Sequence, residues 1–247
     1  MVVNQTRSAL LIGEENIRVL NQKKVMVIGL GGVGGFATEA LVRSGIGGLV
    51  LVDFDTIEAS NLNRQIIATY DNLGQTKVDA FIQRIHSINK DCDVIGCNQK
   101  FSVELLDQYP VDYVLDCMDD VKAKVALMGY CQDHHILELS IMGTARKTDP
   151  MALGVTKLSN TQQDPLAKQV RIACRNAGIP LKTKVIYSTQ PATSVVGGQP
   201  LPSMIFVPGM AGLLAANVCV KDLIHQAMGH CIAPVDEATL KMRDLED

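Results

Sequence analysis

No two cysteines in this sequence stand in a Cys-x-x-Cys pair, although there are seven, at positions 92, 97, 117, 131, 174, 219 and 231. Zinc knuckles and dithiol redox centres are built on that spacing, so neither is expected here. An odd, scattered set of thiols reads as free cysteine in a reducing, cytoplasmic setting. Positive charge is not in excess either. There are 23 Lys and Arg against 26 Asp and Glu, for a net charge of −3. That balance argues against a protein that coats nucleic acid, while leaving room for a local basic face. Residues 1–21 are polar and mixed, without the apolar core of a secretory signal. Between Val185 and Val220 there is no Asp, Glu, Lys or Arg at all. A spanning helix needs about 20 unbroken apolar residues, and here Pro191, Pro200, Pro202 and Pro208 interrupt the run. The stretch after Pro208 therefore reads as a buried core helix, and no stable membrane span is expected. There is no Gly-x-Ser-x-Gly nucleophile elbow. The histidines at 86, 134, 135, 225 and 230 have no metal-ligand spacing, and no internal repeat is visible.

What remains is an ordinary globular composition, 47% hydrophobic and 20% charged over 247 residues, enough for one large α/β domain. Strand and helix patterns alternate. Short β-branched runs predict strands at 24–28, 49–54, 93–97, 113–117, 136–139 and 184–188. Between them, helical spacing marks 33–44, closed by Gly45, then an amphipathic helix through Val78, Phe81, Ile82, Ile85 and Ile88, and a third helix over 120–132. Asp164-Pro165 opens a further helix that ends at Gly178, with Asp as cap and Pro in the first turn. A last helix is expected over 209–226, after a Gly/Pro-rich loop or crossover at 191–202. The βαβαβ order predicts an α/β, doubly wound, Rossmann-like and mostly parallel sheet, extended by C-terminal strands and a helix.

The first chemical motif is Gly29-Leu30-Gly31-Gly32-Val33-Gly34, set between the first strand and its helix. Glycines let the backbone approach a phosphate, and the helix start offers free N–H groups. Asp53 follows nineteen residues after the last glycine, at the end of the second strand, where an acid can bind ribose hydroxyls. These two features alone fit a dinucleotide enzyme, or a glycine turn that only lets helix and strand pack. Ser60-Asn61-Leu62-Asn63-Arg64-Gln65 shifts the balance towards a triphosphate, because Arg64 can chelate phosphate oxygens and the amides can complete a cradle. Lys77 can add a second positive charge. Asp119, at the end of the fourth strand, stands where a phosphate-bound Mg²⁺ would be held. Taken singly, Arg64 and Lys77 could be solvated surface charges, and Asp119 the cap of the helix at Val121.

In this order, Gly29 to Gly34, Asp53-x-Asp55, Asn61-x-x-Arg64-Gln65, Lys77 and Asp116-x-x-Asp119 resemble the E1-like adenylating superfamily of ThiF/MoeB/HesA type. The resemblance covers about 7–139 and implies a nucleotide-binding half over 1–140, a substrate and crossover half over 141–228 and a tail over 229–247, within a single adenylation domain. It implies that Gly29, Gly31, Gly32, Gly34, Asp53, Asp55, Asn61, Arg64, Gln65 and Lys77 bind ATP. It also implies that Asp119 holds Mg²⁺, that Arg64, Lys77 and Asp119 carry the catalysis, and that Arg7 reaches the phosphates of the neighbouring subunit in a homodimer. Met142-Gly143-Thr144, Asp149-Pro150, Asp164-Pro165-Leu166-Ala167, Val170-Arg171 and Val185-Ile186-Tyr187-Ser188 are similar to the tRNA threonylcarbamoyladenosine dehydratase branch. That branch adenylates a threonyl carboxylate on a modified adenosine of tRNA, which then cyclises with loss of water. The alternative within the superfamily is activation of the C-terminus of a ubiquitin-like or sulfur-carrier protein. Against it stand the missing Cys-x-x-Cys pairs and the absence of a cysteine immediately before Val185. Lys168, Arg171, Arg175, Lys182 and Lys184 form a candidate tRNA-facing patch.

Overall fold

The computed structural model describes residues 5–194 and 201–228. Two short helices, α1 (Thr6–Ile12) and α2 (Glu14–Leu20), precede β1 (Lys24–Ile28), α3 (Gly34–Arg43) and β2 (Gly48–Val52). Then come α4 (Lys77–Ile88), β3 (Asp93–Cys97), α5 (Glu104–Gln108), β4 (Tyr113–Asp116), α6 (Val121–Asp133) and β5 (Leu137–Ile141). β6 (Leu153–Lys157), α7 (Pro165–Asn176), β7 (Lys184–Ser188) and α8 (Phe206–Met228) complete the order. One seven-stranded sheet results, ordered β3-β2-β1-β4-β5-β7-β6. All neighbours are parallel except β6, which runs antiparallel to β7.

The central strands are continuous apolar runs because both faces are covered. β2 is buried at every position, and β1 is buried from Val25 to Ile28. Their side chains alternate between two clusters. Val25, Val27, Leu49 and Leu51 pack under α3, α4 and α8, while Met26, Ile28, Val50 and Val52 pack under α5 and α6. The close approach of α3 to β1 is set by Gly34, where an added Cβ would lie 1.8 Å from the Gly29 carbonyl oxygen. By length and composition α8 could cross a membrane. Here, however, it packs against α3, and Val207, Ala211, Ala215, Cys219 and Leu223 are buried. One face of α8 is thus covered by the fold, while Phe206, Met210 and Leu213 on the other remain exposed.

The expected strands and helices are all present, with ends shifted by a few residues. α8 starts at Phe206, three residues before the expected Gly209, because Pro208 fits the first turn, where its missing N–H costs nothing. Four elements had no sequence signal strong enough to predict them: α1, α2, α5 and β6. α5 spans five residues, and β6 is an edge strand whose Val155 and Lys157 face solvent. Of the expected 191–202 loop, 191–194 and 201–202 are described. The tail at 229–247, with His230 and Cys231, lies outside the described residues.

Candidate active site

At the carboxyl edge of the sheet the chain leaves β1, β2, β4 and β5 around one cavity of about 950 Å³. The β1–α3 turn forms one wall. Gly29 has a φ of +87°, a region that favours glycine, and a Cβ there would meet the Cys117 carbonyl at 2.9 Å. Gly29, Gly31 and Gly32 line the cavity; Gly34 does not, and serves the packing of α3 instead.

Asp53 is buried and ties this turn to β2. One carboxylate oxygen accepts the Leu30 N–H at 2.6 Å and the other accepts the Asp55 N–H at 2.8 Å. Each oxygen keeps a second lone pair for the cavity that Asp53 lines. Lys77, the first residue of α4, is buried with its ammonium 2.7 Å from Asp55 and 3.8 Å from Asp53. The expected phosphate lysine is thus already paired, and meeting a phosphate means exchanging or sharing Asp55. Arg64 is different. Its guanidinium donates to the Ser60 carbonyl at 2.7 Å and to Asn63 Oδ1 at 2.9 Å and has no carboxylate partner among the described residues. Those two bonds aim the side chain and leave its remaining donors for an anion. Gln65 is buried beside it, and its Oε1 has no hydrogen-bond partner. Gln65 lines the cavity, and a buried carbonyl oxygen without a partner marks a side chain whose hydrogen bonding the chain itself leaves incomplete.

Asn61 and Arg7 lie elsewhere. The Asn61 side chain accepts the Glu58 N–H at 3.1 Å and closes its own 3-10 turn, and it does not line the cavity. Arg7 is exposed on α1, away from the cavity of its own chain.

Under the opposite wall runs a buried polar network. Lys124 Nζ donates to Asp116 at 3.0 Å, Ser140 Oγ at 3.1 Å and the Ile141 carbonyl at 2.8 Å, with both members of the ion pair fully buried. The second Asp116 oxygen accepts the Met118 N–H at 3.1 Å, which fixes the turn into α6. Asp120 caps α6 by accepting from the Lys122 and Ala123 N–H groups. The cap is therefore not Asp119, whose exposed carboxylate lines the cavity with no partner among the described residues.

Sequence reasoning missed several lining residues. Lys147 and Asp164 form a buried ion pair at 2.6 Å, and Lys147 also donates to the Gly143 carbonyl at 2.8 Å. Asp164 was legible as the cap of α7, which it is, accepting the Ala167 N–H at 2.9 Å, and as part of a family motif, but not as a cavity residue. Its lysine partner lies 17 residues away, and no local pattern marks the pairing. Phe54 and Lys100 meet at the rim, the ammonium 5.1 Å from the ring centroid. Cys117 also lines the cavity, but burial, with the Asp116 carboxylate second, pushes its thiol up to about 12. Burial raises Cys174 and Cys219 as well. None of these is poised as a thiolate nucleophile.

The basic patch is smaller than the sequence suggests. Arg171 is tied to the carbonyl and hydroxyl of Thr161, and Lys184 pairs with Asp222 at 2.6 Å. Lys168, Arg175 and Lys182 remain exposed.

The model of the ThiF family matches residues 4–244. The chain belongs to the ThiF family. A tRNA threonylcarbamoyladenosine dehydratase of Bacillus subtilis (strain 168) is 38% identical to this ThiF-family chain over 238 residues, covering 89% of it and 94% of the relative. That of Escherichia coli (strain K12) is 38% identical over 167 residues, 66% of this chain and 62% of the relative. The solved structure of the E. coli dehydratase TcdA in complex with ATP superposes with a TM-score of 0.84 at 31% identity, covering 93% of this chain and 99% of that one. Its AMP complex gives 0.85 at 30% identity, with the same coverage.

Proposed function

We propose that this ThiF-family chain is an ATP-dependent tRNA threonylcarbamoyladenosine dehydratase. The observation that carries the reading is the pairing, across one cavity, of a glycine turn and an uncommitted Arg64 with an uncommitted carboxylate, Asp119. A triphosphate needs the first, and Asp119 would hold a divalent cation, which would supply charge neutralisation beside the phosphates. The names of the relatives supply the substrate class.

In this reading Asp53 turns its remaining lone pairs to the ribose, and Gln65 Oε1 takes a donor from the ligand. Gly31 and Gly32 let the phosphates approach the start of α3. Arg64 and Lys77 neutralise the phosphates, Lys77 sharing its charge with Asp55. One exposed carboxylate among phosphates suits Mg²⁺, which Asp119 would hold and which supplies charge neutralisation when bound. The threonyl carboxylate attacks the α-phosphorus, the bond to the β-phosphate breaks and pyrophosphate leaves. The substrate's own ureido group then captures the activated carboxyl carbon and AMP departs, with net loss of one water. No thiol is required, in keeping with the raised Cys117 thiol at the cavity wall. Preorganised charge and positioning carry the rate.

Two further parts belong to the proposal. A homodimer is supported by the exposed apolar stripe Phe206, Met210 and Leu213 on α8, next to exposed Leu201 and Met204. Arg7, remote from its own cavity, would serve the partner's phosphates. The exposed Lys168, Arg175 and Lys182 would face the tRNA backbone.

The test is mass spectrometry of tRNA nucleosides after incubation with the protein, ATP and Mg²⁺. The expected result is conversion of threonylcarbamoyladenosine to a product 18 mass units lighter (one water, by the stoichiometry above), with equimolar pyrophosphate. ATP binding with no conversion, together with pyrophosphate exchange driven by a small carrier protein, would move the substrate class to protein C-termini.

A further inference from the structure

Among the described residues, three that are not glycine have positive φ: His135, Arg146 and Gln163, at +57°, +63° and +57°. Only Arg146 lines the cavity. A bulky side chain in the left-handed region costs energy that glycine or asparagine would avoid, so an arginine held there needs a reason. Its backbone is fixed at both polar atoms. The Arg146 N–H donates to the Pro202 carbonyl at 2.8 Å, and its carbonyl accepts the Thr193 N–H at 2.9 Å. Directly behind it, the buried Lys147–Asp164 pair anchors the loop to the start of α7 and, through Lys147, to the Gly143 carbonyl. The guanidinium, by contrast, has no hydrogen-bond or ion-pair partner among the described residues.

Position decides what such a group would meet. The strands run β2-β1-β4-β5 across the cavity. Asp53 follows β2, the glycine turn and Arg64 lie towards β1 and β2, and Asp119 follows β4. Arg146 follows β5, beyond Asp119 and on the far side from the triphosphate wall. In the adenylation reading, on which this inference rests, the ribose and phosphates occupy the β2–β1 side. The attacking carboxylate therefore enters from the β5 side. We propose that Arg146 is the residue that binds the substrate carboxylate, its planar fork meeting the two oxygens and presenting one of them to the α-phosphorus. The Lys147–Asp164 pair acts behind it as a positioning pair.

The test compares wild type with Arg146→Gly, Arg146→Gln and Arg146→Lys. Arg146→Gly keeps both backbone bonds and removes the left-handed penalty, so the expected change in melting temperature is zero or upward. The KM for the modified tRNA in pyrophosphate release is expected to rise at least tenfold in the Gly and Gln variants, with partial recovery in Lys. The melting shift given by ATP with Mg²⁺ should stay at the wild-type value. A second readout does not depend on turnover: binding of a synthetic RNA stem-loop carrying N6-threonylcarbamoyladenosine, against the same stem-loop with its carboxylate as the methyl ester. Wild type should prefer the acid at least tenfold, and the Gln variant should not distinguish the two. Equal binding of acid and ester by wild type, or an unchanged preference in Arg146→Gln, overturns the role given to Arg146. If wild type prefers the acid but releases no pyrophosphate with ATP, the dehydratase reading falls while the carboxylate site stands.

Discussion

At the scale of single residues, the cavity is defined by which charges are already spent. Lys77 and Lys147 are buried against Asp55 and Asp164, and Asp53 gives an oxygen to each of two backbone N–H groups. Arg64 and Asp119 are not committed to opposite charges among the described residues. Two neighbouring aspartates divide the work: Asp120 caps α6, and Asp119 is left for the cavity. Asp119→Asn therefore removes charge without removing a contact. Its unfolding free energy should stay within about 0.5 kcal/mol of wild type, as for other surface changes. ATP turnover should fall about a hundredfold or more, the scale of losing a preorganised charge at a reacting centre. Denaturant titration and pyrophosphate release check the two halves. Normal turnover would show that the metal ligand is another group.

At the scale of elements, the glycine turn does two jobs that the sequence motif does not separate. Gly29, Gly31 and Gly32 face the cavity, whereas Gly34 lets α3 lie against the end of β1. Gly34→Ala would place a methyl group 1.8 Å from a backbone carbonyl oxygen, with no flexible side chain to give way. The expected cost is about 3 kcal/mol or more, the top of the range for overpacked cores. Gly154→Ala is the control, since a Cβ there meets nothing within 4 Å. It should be neutral or stabilise by up to about 1 kcal/mol. Thermal unfolding of the pair reads both, and equal melting temperatures would remove the packing role of Gly34. Helix α7 shows the same division of labour along its length. Asp164 holds its first turn and Lys147, Arg171 fastens Thr161, and Lys168 and Arg175 remain outside.

At the scale of the whole molecule, two bulk properties follow. Burial, helped by Asp93 in the first case and Asp116 in the second, raises Cys92 to about 11 and Cys117 to about 12. In the unfolded chain both return to the ordinary value near 9. Folded pKa values above the unfolded ones mean stability that is full below about pH 9 and is lost as pH climbs towards 11 and 12. The loss approaches about 1.4 kcal/mol per pH unit for each thiol. Denaturant midpoints between pH 8 and 10.5 should fall, and Cys92→Ala should flatten the fall; identical slopes would contradict it. The second property concerns tRNA. With a net charge of −3, any counterion-release term must come from a local face. Triple reversal of Lys168, Arg175 and Lys182 to Glu should weaken tRNA binding and reduce its salt slope, while the ATP-induced melting shift is unchanged. Arg171 is left out of the reversal, because changing it also breaks its hold on Thr161.

The sequence alone determined the parallel core and the order of the nucleotide half, because buried strands and amphipathic helices write their period locally and the glycine turn follows a strand directly. It also determined which residues were chemically suited to phosphate: Arg64, Lys77 and Asp119 were legible by type and order. Tertiary structure decided which of them are uncommitted. The pairing of Lys77 with Asp55, 22 residues apart, and of Lys147 with Asp164, 17 apart, is a matter of which strand ends meet. The same holds for Arg146, an ordinary loop arginine in sequence. Only the clamp by Thr193 and Pro202 and its place beyond β5 put it across the cavity from the glycine turn. Asn61 shows the reverse, a residue of the right type whose side chain is consumed by its own turn. Local pattern fixes what an element is; the partners of a charge depend on contacts that no local window contains.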